Sequence, residues 1–331
     1  MAELHLPDLP DIPGMHVRRP RDDDADFTAT AELIAAANRV DGIPWIPTAR
    51  HLRDEAEHAA GWSPADEALL VEVDGVVVAD AAVERAVRDG VAVYETSGHV
   101  LPAWRRRGIG TALLRENLRR ARERAAAEPA DQPWALAGFA DESEIGHLAL
   151  LRNHGFEPVR WFFVMRRDLT APVPEASMPA GLELRPLTRD QHRVVFEAEA
   201  EAFRDHWNWR EPTEEDAALT YGRSEFDPDL WVVAWDGDEV AGVAQGWIWA
   251  DENAALGVAR GWLEHISVRR PWRRRGLARA LTTEAMRRFA AAGMTDAMLG
   301  VDAASPTGAL GLYESLGFTV HTRSMAFRRQ G

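Results

Sequence analysis

The chain has no cysteine and no lysine, so every one of its 38 basic residues is arginine. The first absence excludes a disulfide framework, a thiolate metal site and a cysteine nucleophile; the second excludes a lysine Schiff base. Positive charge is scarce beside negative. Its 53 acidic residues leave a net charge of −15, which ill suits general nucleic-acid binding, where clustered positive charge must meet phosphate. Long hydrophobic runs are missing too: one of the most apolar stretches, Val76 to Val83, is interrupted by Asp80 and is far too short to cross a membrane. The start, Met1-Ala-Glu-Leu-His-Leu-Pro, puts acids and prolines where a signal peptide carries basic and then apolar residues, so a cytoplasmic location is expected.

What is present is a repeat. The segment Trp104-Arg-Arg-Arg-Gly108-Ile-Gly110-Thr-Ala-Leu113 returns as Trp272-Arg-Arg-Arg-Gly276-Leu-Ala278-Arg-Ala-Leu281, and Leu151-Arg-Asn-His-Gly155-Phe156 returns as Tyr313-Glu-Ser-Leu-Gly317-Phe318. Two motifs repeated in the same order indicate duplication, and 331 residues at roughly 150 per domain suit two domains. A stretch with three prolines and no apolar period, Thr170 to Gly181, suits a linker, after which Leu182-Glu-Leu-Arg-Pro echoes His16-Val-Arg-Arg-Pro. The expected layout is a leader over 1–15, a domain over 16–170, a linker over 171–180 and a domain over 181–331.

The second half reads as a strand over 182–187, a helix over 191–203, a hairpin from Trp231 through the Asp236-Gly-Asp turn to Trp249, and a strand over 262–268. A helix after Gly276 follows, with Leu277, Leu281, Ala285, Met286, Phe289 and Ala290 on its apolar face, then a strand over 298–301, a helix over 309–316 and a closing strand over 319–328. The predicted class is α+β, a mixed α/β fold of two tandem domains, each a twisted mixed sheet flanked by helices.

The strand-to-helix turn at Arg273-Arg-Arg-Gly276 is an anion site by construction. The unpaired amides of the helix start, the helix dipole, close backbone approach at glycine and the arginine charges all favour a phosphate. The same holds at Arg105-Arg-Arg-Gly108.

These turns, with the Leu-Tyr-x-x-x-Gly-Phe segment after the second, resemble the GNAT N-acetyltransferase superfamily over most of the chain. The resemblance implies direct transfer of acetyl from acetyl-CoA, the co-substrate, to the amine of a small acceptor. From charge, hydropathy and the lack of metal-ligand spacing, no nucleic-acid, membrane or metal partner is expected, and the expected state is a monomer or homodimer. It places cofactor on Ile266, Val268, Arg273, Arg274, Arg275, Gly276, Leu277, Ala278 and Arg279, with Ser305 standing where the family has asparagine. In the first domain it places cofactor on Val100, Arg105, Arg106, Arg107, Gly108, Ile109, Gly110 and Thr111. Tyr313 matches the tyrosine that protonates the leaving thiolate, and a backbone amide of the 262–268 strand polarises the carbonyl.

Strand alternation puts Trp262, Glu264, Ile266 and Val268 on one face and Leu263, His265 and Ser267 on the other. Many relatives carry an acid at the place of Trp262; Glu264, on the same expected face, either relays a proton through water or binds the acceptor's ammonium. His265 then faces away, and Asp302 is a further acid at a strand end. In the first domain Leu151 replaces the tyrosine and Thr96 replaces Glu264, so that domain is expected to be catalytically silent. The asymmetry resembles the tandem mycothiol synthase family, whose acceptor is a cysteinyl amino-sugar. A non-catalytic CoA-binding or interaction role is the alternative. Between Phe203 and Asp216, and at Trp247 and Trp249, aromatics with acids either enclose the acceptor or pack as core.

Overall fold

The computed structural model describes residues 4–21, 23–58, 63–305 and 308–331. Each sheet takes its last strand from the other half of the sequence. The first half runs β1 (Met15–Arg18), α1 (Asp24–Asp41), α2 (Ala49–His58), α3 (Pro64–Glu67), β2 (Ala68–Val73), β3 (Val76–Arg88), β4 (Val91–Ser97), α4 (Ile109–Ala125), β5 (Trp134–Asp141), α5 (Ile145–Asn153) and β6 (Glu157–Asp168). The second runs β7 (Glu183–Arg185), α6 (His192–Phe203), α7 (Glu214–Gly222), β8 (Val232–Asp236), β9 (Glu239–Trp247), α8 (Ala250–Leu256), β10 (Arg260–Val268), α9 (Leu277–Ala291), β11 (Asp296–Asp302), α10 (Ala309–Ser315) and β12 (Thr319–Gln330).

Two units result, one of residues 1–161 with 324–331 and one of residues 162–323. In unit 1 the order is β1-β2-β3-β4-β5, closed by β12 through Ser324–Gln330 against Asp141–Ala135. In unit 2 it is β7-β8-β9-β10-β11, closed by β6 through Phe162–Asp168 against Asp302–Asp296. The parallel pairs are β4–β5 and β10–β11. The units therefore depart from the 16–170 and 181–331 halves: the ends of β6 and β12 trade places. Segment 171–180 carries no regular element, and Val173 and Met178 pack on the unit 2 core. Of the leader, residues 1–3 lie outside the described residues, whereas Leu4 bridges to Val17 and Leu6 is buried.

The α9 stripe forms as its spacing requires: Leu277, Leu281, Ala285, Met286 and Phe289 are buried in the unit 2 core, while Ala290 at the stripe's edge is exposed. Phe289 packs so closely on β10 that a Cβ at Gly261 would lie 2.5 Å from its ring. Glycine is needed there for approach and not for its torsion. Gly261→Ala is expected to cost about 1–3 kcal/mol by overpacking, read as a lower urea midpoint at unchanged m-value.

Candidate active site

Both arginine-glycine turns adopt one conformation. Arg106 and Gly108 have φ of 64° and 92°, and Arg274 and Gly276 have φ of 64° and 88°, each pair following an extended arginine, so both turns bend sharply at the same two positions just before a helix start. Gly108 and Gly276 cap α4 and α9 without a side-chain hydrogen bond, leaving the helix-start N–H groups to face the turn. The side chains of Ile109 and Leu277 are buried, so these two positions offer a ligand their backbone only.

The first arginine of each turn serves the protein. Arg105 donates to the Val100 carbonyl at 3.1 Å and, through both terminal nitrogens, to Asp41 at 2.7 Å. Arg273 donates to the Val268 carbonyl at 2.9 Å, to Asp205 at 2.6 Å and to the Ala202 carbonyl at 3.0 Å. Each guanidinium thus clips the turn to the chain five residues before it, at Val100 or at the end of β10, and to the end of the domain's first long helix. Three other arginines at or after the turns are differently placed: Arg107 lies over the Trp104 ring at 4.6 Å, Arg275 reaches the Ala180 carbonyl, and Arg279 on α9 donates to the Ser315 hydroxyl. That last bond ties the first turn of α9 to α10, two residues beyond Tyr313.

The parallel pairing of β10 with β11 runs from Arg260↔Asp296 to Leu263↔Leu299 and stops, opening the sheet beyond Leu263, with Ile266 and Val268 packed against the α9 core. A register shift between Leu263 and His265 makes Glu264 a bulge residue. This corrects the simple alternation. Antiparallel partners share a face, so Trp262, His265 and Ser267 lie with Trp247, Gln245 and Val243, while Leu263, Ile266 and Val268 lie with Gly246, Ala244 and Gly242. His265 therefore shares the face of Trp262, because one extra residue inverts the alternation after it. No such shift interrupts the pairing of β4 with β3.

Glu264 is exposed and accepts a 3.4 Å hydrogen bond from the Trp249 indole, which stacks on buried Trp247 at 5.2 Å. Trp247 belongs to the core cluster with Val195 and Trp231. Tyr313 is buried edge-on to Phe318, and burial raises its hydroxyl pKa above the ordinary tyrosine value. Ser305 follows β11, its amide donating to the Asp302 carbonyl at 3.1 Å. The 203–216 stretch leads into α7 and brings His206 beside Phe203, whose ring also packs on His265.

In unit 1, Leu151 is fully buried in the core and Thr96 accepts from buried Asn117 at 2.8 Å. A cavity of about 600 Å³ opens at its turn, lined by Val100, Arg105, Arg106, Gly108, Gly110 and Thr111 together with Asp80, His99, Glu144 and His147. Burial opposes charge on His99, but its contact with Asp80 at 3.0 Å and nearby Glu144 outweigh it and raise its pKa. Among the described residues no cluster of three or more His, Asp or Glu is placed for a metal, and no helix is long and apolar enough to cross a membrane.

Several site residues went unread in the sequence. Asp41 and Asp205, which hold the turns, have no local motif. Glu199 did leave a signal: it falls in line with Val195, Ala198 and Ala202 on the apolar side of α6, and all four are buried. Its Oε2 accepts from Gln245 at 2.7 Å, Oε1 is buried without a hydrogen bond, and burial raises its pKa from 4.5 to about 8. An acid whose folded pKa is raised contributes stability below its unfolded pKa and loses it as pH climbs through the folded value. Relative to the parent, Glu199→Gln should therefore gain thermal stability between pH 4.5 and about 8, measured as the difference in Tm across that range.

The model of the Acetyltransferase (GNAT) family matches residues 37–132 and 193–318. A mycothiol acetyltransferase of Geodermatophilus obscurus is 30% identical over 314 residues, spanning 93% of this chain and 95% of the relative. One from Stackebrandtia nassauensis is 29% identical over 90% of this chain and 94% of its own. Among solved structures, a GCN5-related N-acetyltransferase from Sphaerobacter thermophilus has a TM-score of 0.73 at 31% identity, covering 97% of this chain and 96% of that one. A tandem GNAT protein from the clavulanic acid biosynthesis pathway has a TM-score of 0.67 at 17% identity, covering 96% of this chain and 98% of that one, a likeness of fold.

Proposed function

The chain belongs to the GNAT acetyltransferase family, and we propose that unit 2 transfers acetyl from acetyl-CoA directly to a primary amine of a small molecule, while unit 1 binds a CoA-type ligand without transfer. The observation that carries this reading is the contrast between two like turns: α9 is joined by Tyr313 on α10, whereas α4 is joined by Leu151 on α5, which has no proton to give. A pure binding protein leaves Tyr313 without a task.

Three requirements of thioester aminolysis have residues to meet them. Amides of Arg274 to Arg279 hold the pyrophosphate, the opened edge of β10 takes the pantetheine and polarises the carbonyl, and Tyr313, kept protonated by burial, supplies the leaving thiolate's proton. Exposed Glu264 beside Trp249 holds the acceptor's ammonium. The name of the relatives directs the first choice of acceptor to the cysteinyl amine of a mycothiol-type amino-sugar. Arg105 and Arg273 act by shaping the turns.

Loss of thioester absorbance from acetyl-CoA, followed with a panel of amines that includes cysteinyl glucosamine, tests the reading together with acetyl-CoA titration calorimetry. The expected result is amine-dependent consumption with the N-acetyl product formed in equal amount. No consumption with any amine sinks it.

A further inference from the structure

The bulge at Glu264 brings an imidazole, that of His265, to the face of Trp262. His265 packs on Phe203 at 4.6 Å with its side chain 50% exposed, and its Nδ1 lies 3.9 Å from Oε1 of Glu199, the buried oxygen that has no hydrogen-bond partner. Behind it, Gln245 fixes the other oxygen at 2.7 Å, and the Trp247 indole donates to Gln245 at 3.4 Å. The carboxylate is therefore oriented from β9 and left open toward the imidazole.

Building on the acetyl-transfer reading above, we propose that His265 takes the proton of the attacking amine and passes it to Glu199. The ammonium held by Glu264 first gives one proton to solvent; as the neutral nitrogen bonds to the acetyl carbon, a second N–H proton moves to Nε2 of His265 and the Nδ1 proton moves to Oε1 of Glu199. The C–S bond then breaks, and the sulfur takes the Tyr313 hydroxyl proton. Solvent returns one proton from the pair to Tyr313, so the cycle balances. The 3.9 Å gap is about 1 Å beyond a hydrogen bond, a separation common in catalytic pairs before substrate tightens them. His265 is the catalytic residue, and Glu199 positions it and stores the proton.

The surroundings set the direction of the pH dependence. Desolvation of the ring where it packs on Phe203, with the charge of neighbouring His206, lowers the His265 pKa, so the half-exposed ring is neutral at physiological pH. His206 itself feels Asp302 and Asp205 as anions and Arg273 as a cation. From α7, Tyr221 is influenced by Glu199; on its own strand His265 is next to Glu264. The open proton slot is the Glu199 carboxylate, which forms as pH rises through about 8. The rate with bound acceptor should rise with pH across that value.

Two measurements test the pair on the full chain. In the free protein, the His265 ring signal, assigned with His265→Gln, should shift near pH 8 without gaining charge, and that inflection should vanish in Glu199→Gln. An inflection that survives Glu199→Gln, or is absent from the parent, overturns the pair while leaving acetyl transfer intact. With acetyl-CoA and the amine that reacts best, His265→Gln and Glu199→Gln should each lower kcat roughly 100-fold, abolish the limb near pH 8 and leave acetyl-CoA affinity unchanged. Parent-like kcat and pH profile in both variants overturn it. If the coupled titration holds and no amine reacts, the transfer reading fails and takes the base role with it.

Discussion

Tyr313→Phe is expected to lower kcat roughly 1,000-fold, within the range of about 100- to 10,000-fold assigned to a positioned proton donor, with no change in acetyl-CoA affinity. The substitution removes one oxygen and keeps the ring that packs against Phe318. Its effect on folding should be small, because the ring keeps the side chain's place in the apolar core around α10. Burial raises the hydroxyl's pKa, so the group carries its proton throughout the neutral range and is available to hydrogen-bond the sulfur and protonate it as the C–S bond breaks. The loss should therefore be flat with pH, unlike that of the His265 and Glu199 variants. Single-turnover kinetics separate the step from product release. A Tyr313→Phe enzyme that turns over within a few-fold of the parent removes the hydroxyl from the mechanism.

The parts of this site that were legible in the sequence are those fixed by local backbone chemistry. Glycine at Gly108 and Gly276 is required by φ near 90°, the arginines before it are close in sequence, and the helix that follows shows its period through Leu277, Leu281 and Phe289. What was not legible depends on partners remote in sequence. Both β6 and β12 are long closing strands, and nothing local says that Phe162–Asp168 pairs with β11 while Ser324–Gln330 pairs with β5. The bulge is likewise a property of pairing: Leu263 to Val268 reads as regular alternation until β9 supplies the register, and that one residue decides which face His265 occupies. Buried Glu199 was the reverse case, with a pattern that was present but carried by a residue type more often found at the surface.

The second large effect separates the two turns. Gly276→Glu should lower kcat/KM for acetyl-CoA by more than 1,000-fold, and Gly108→Glu by less than 3-fold; roughly 1.4 kcal/mol accompanies each factor of ten. Both glycines sit at left-handed φ with open space where a Cβ would go, so each variant carries similar backbone strain and no side-chain clash. The added carboxylate projects at the helix start, where the dipole and the amides would otherwise meet phosphate, and repels it. Equal strain makes the comparison internal: melting temperatures should fall by similar amounts, and only the catalytic outcomes should diverge. Titration calorimetry should register loss of one acetyl-CoA site in either variant, the working site in Gly276→Glu and the silent one in Gly108→Glu. Comparable loss of turnover from both, with folding retained, would show that unit 1 takes part in transfer. Persistence of turnover in Gly276→Glu together with its loss in Gly108→Glu would reverse the assignment and make the cavity beside His99 and Glu144 the place to look for the chemistry.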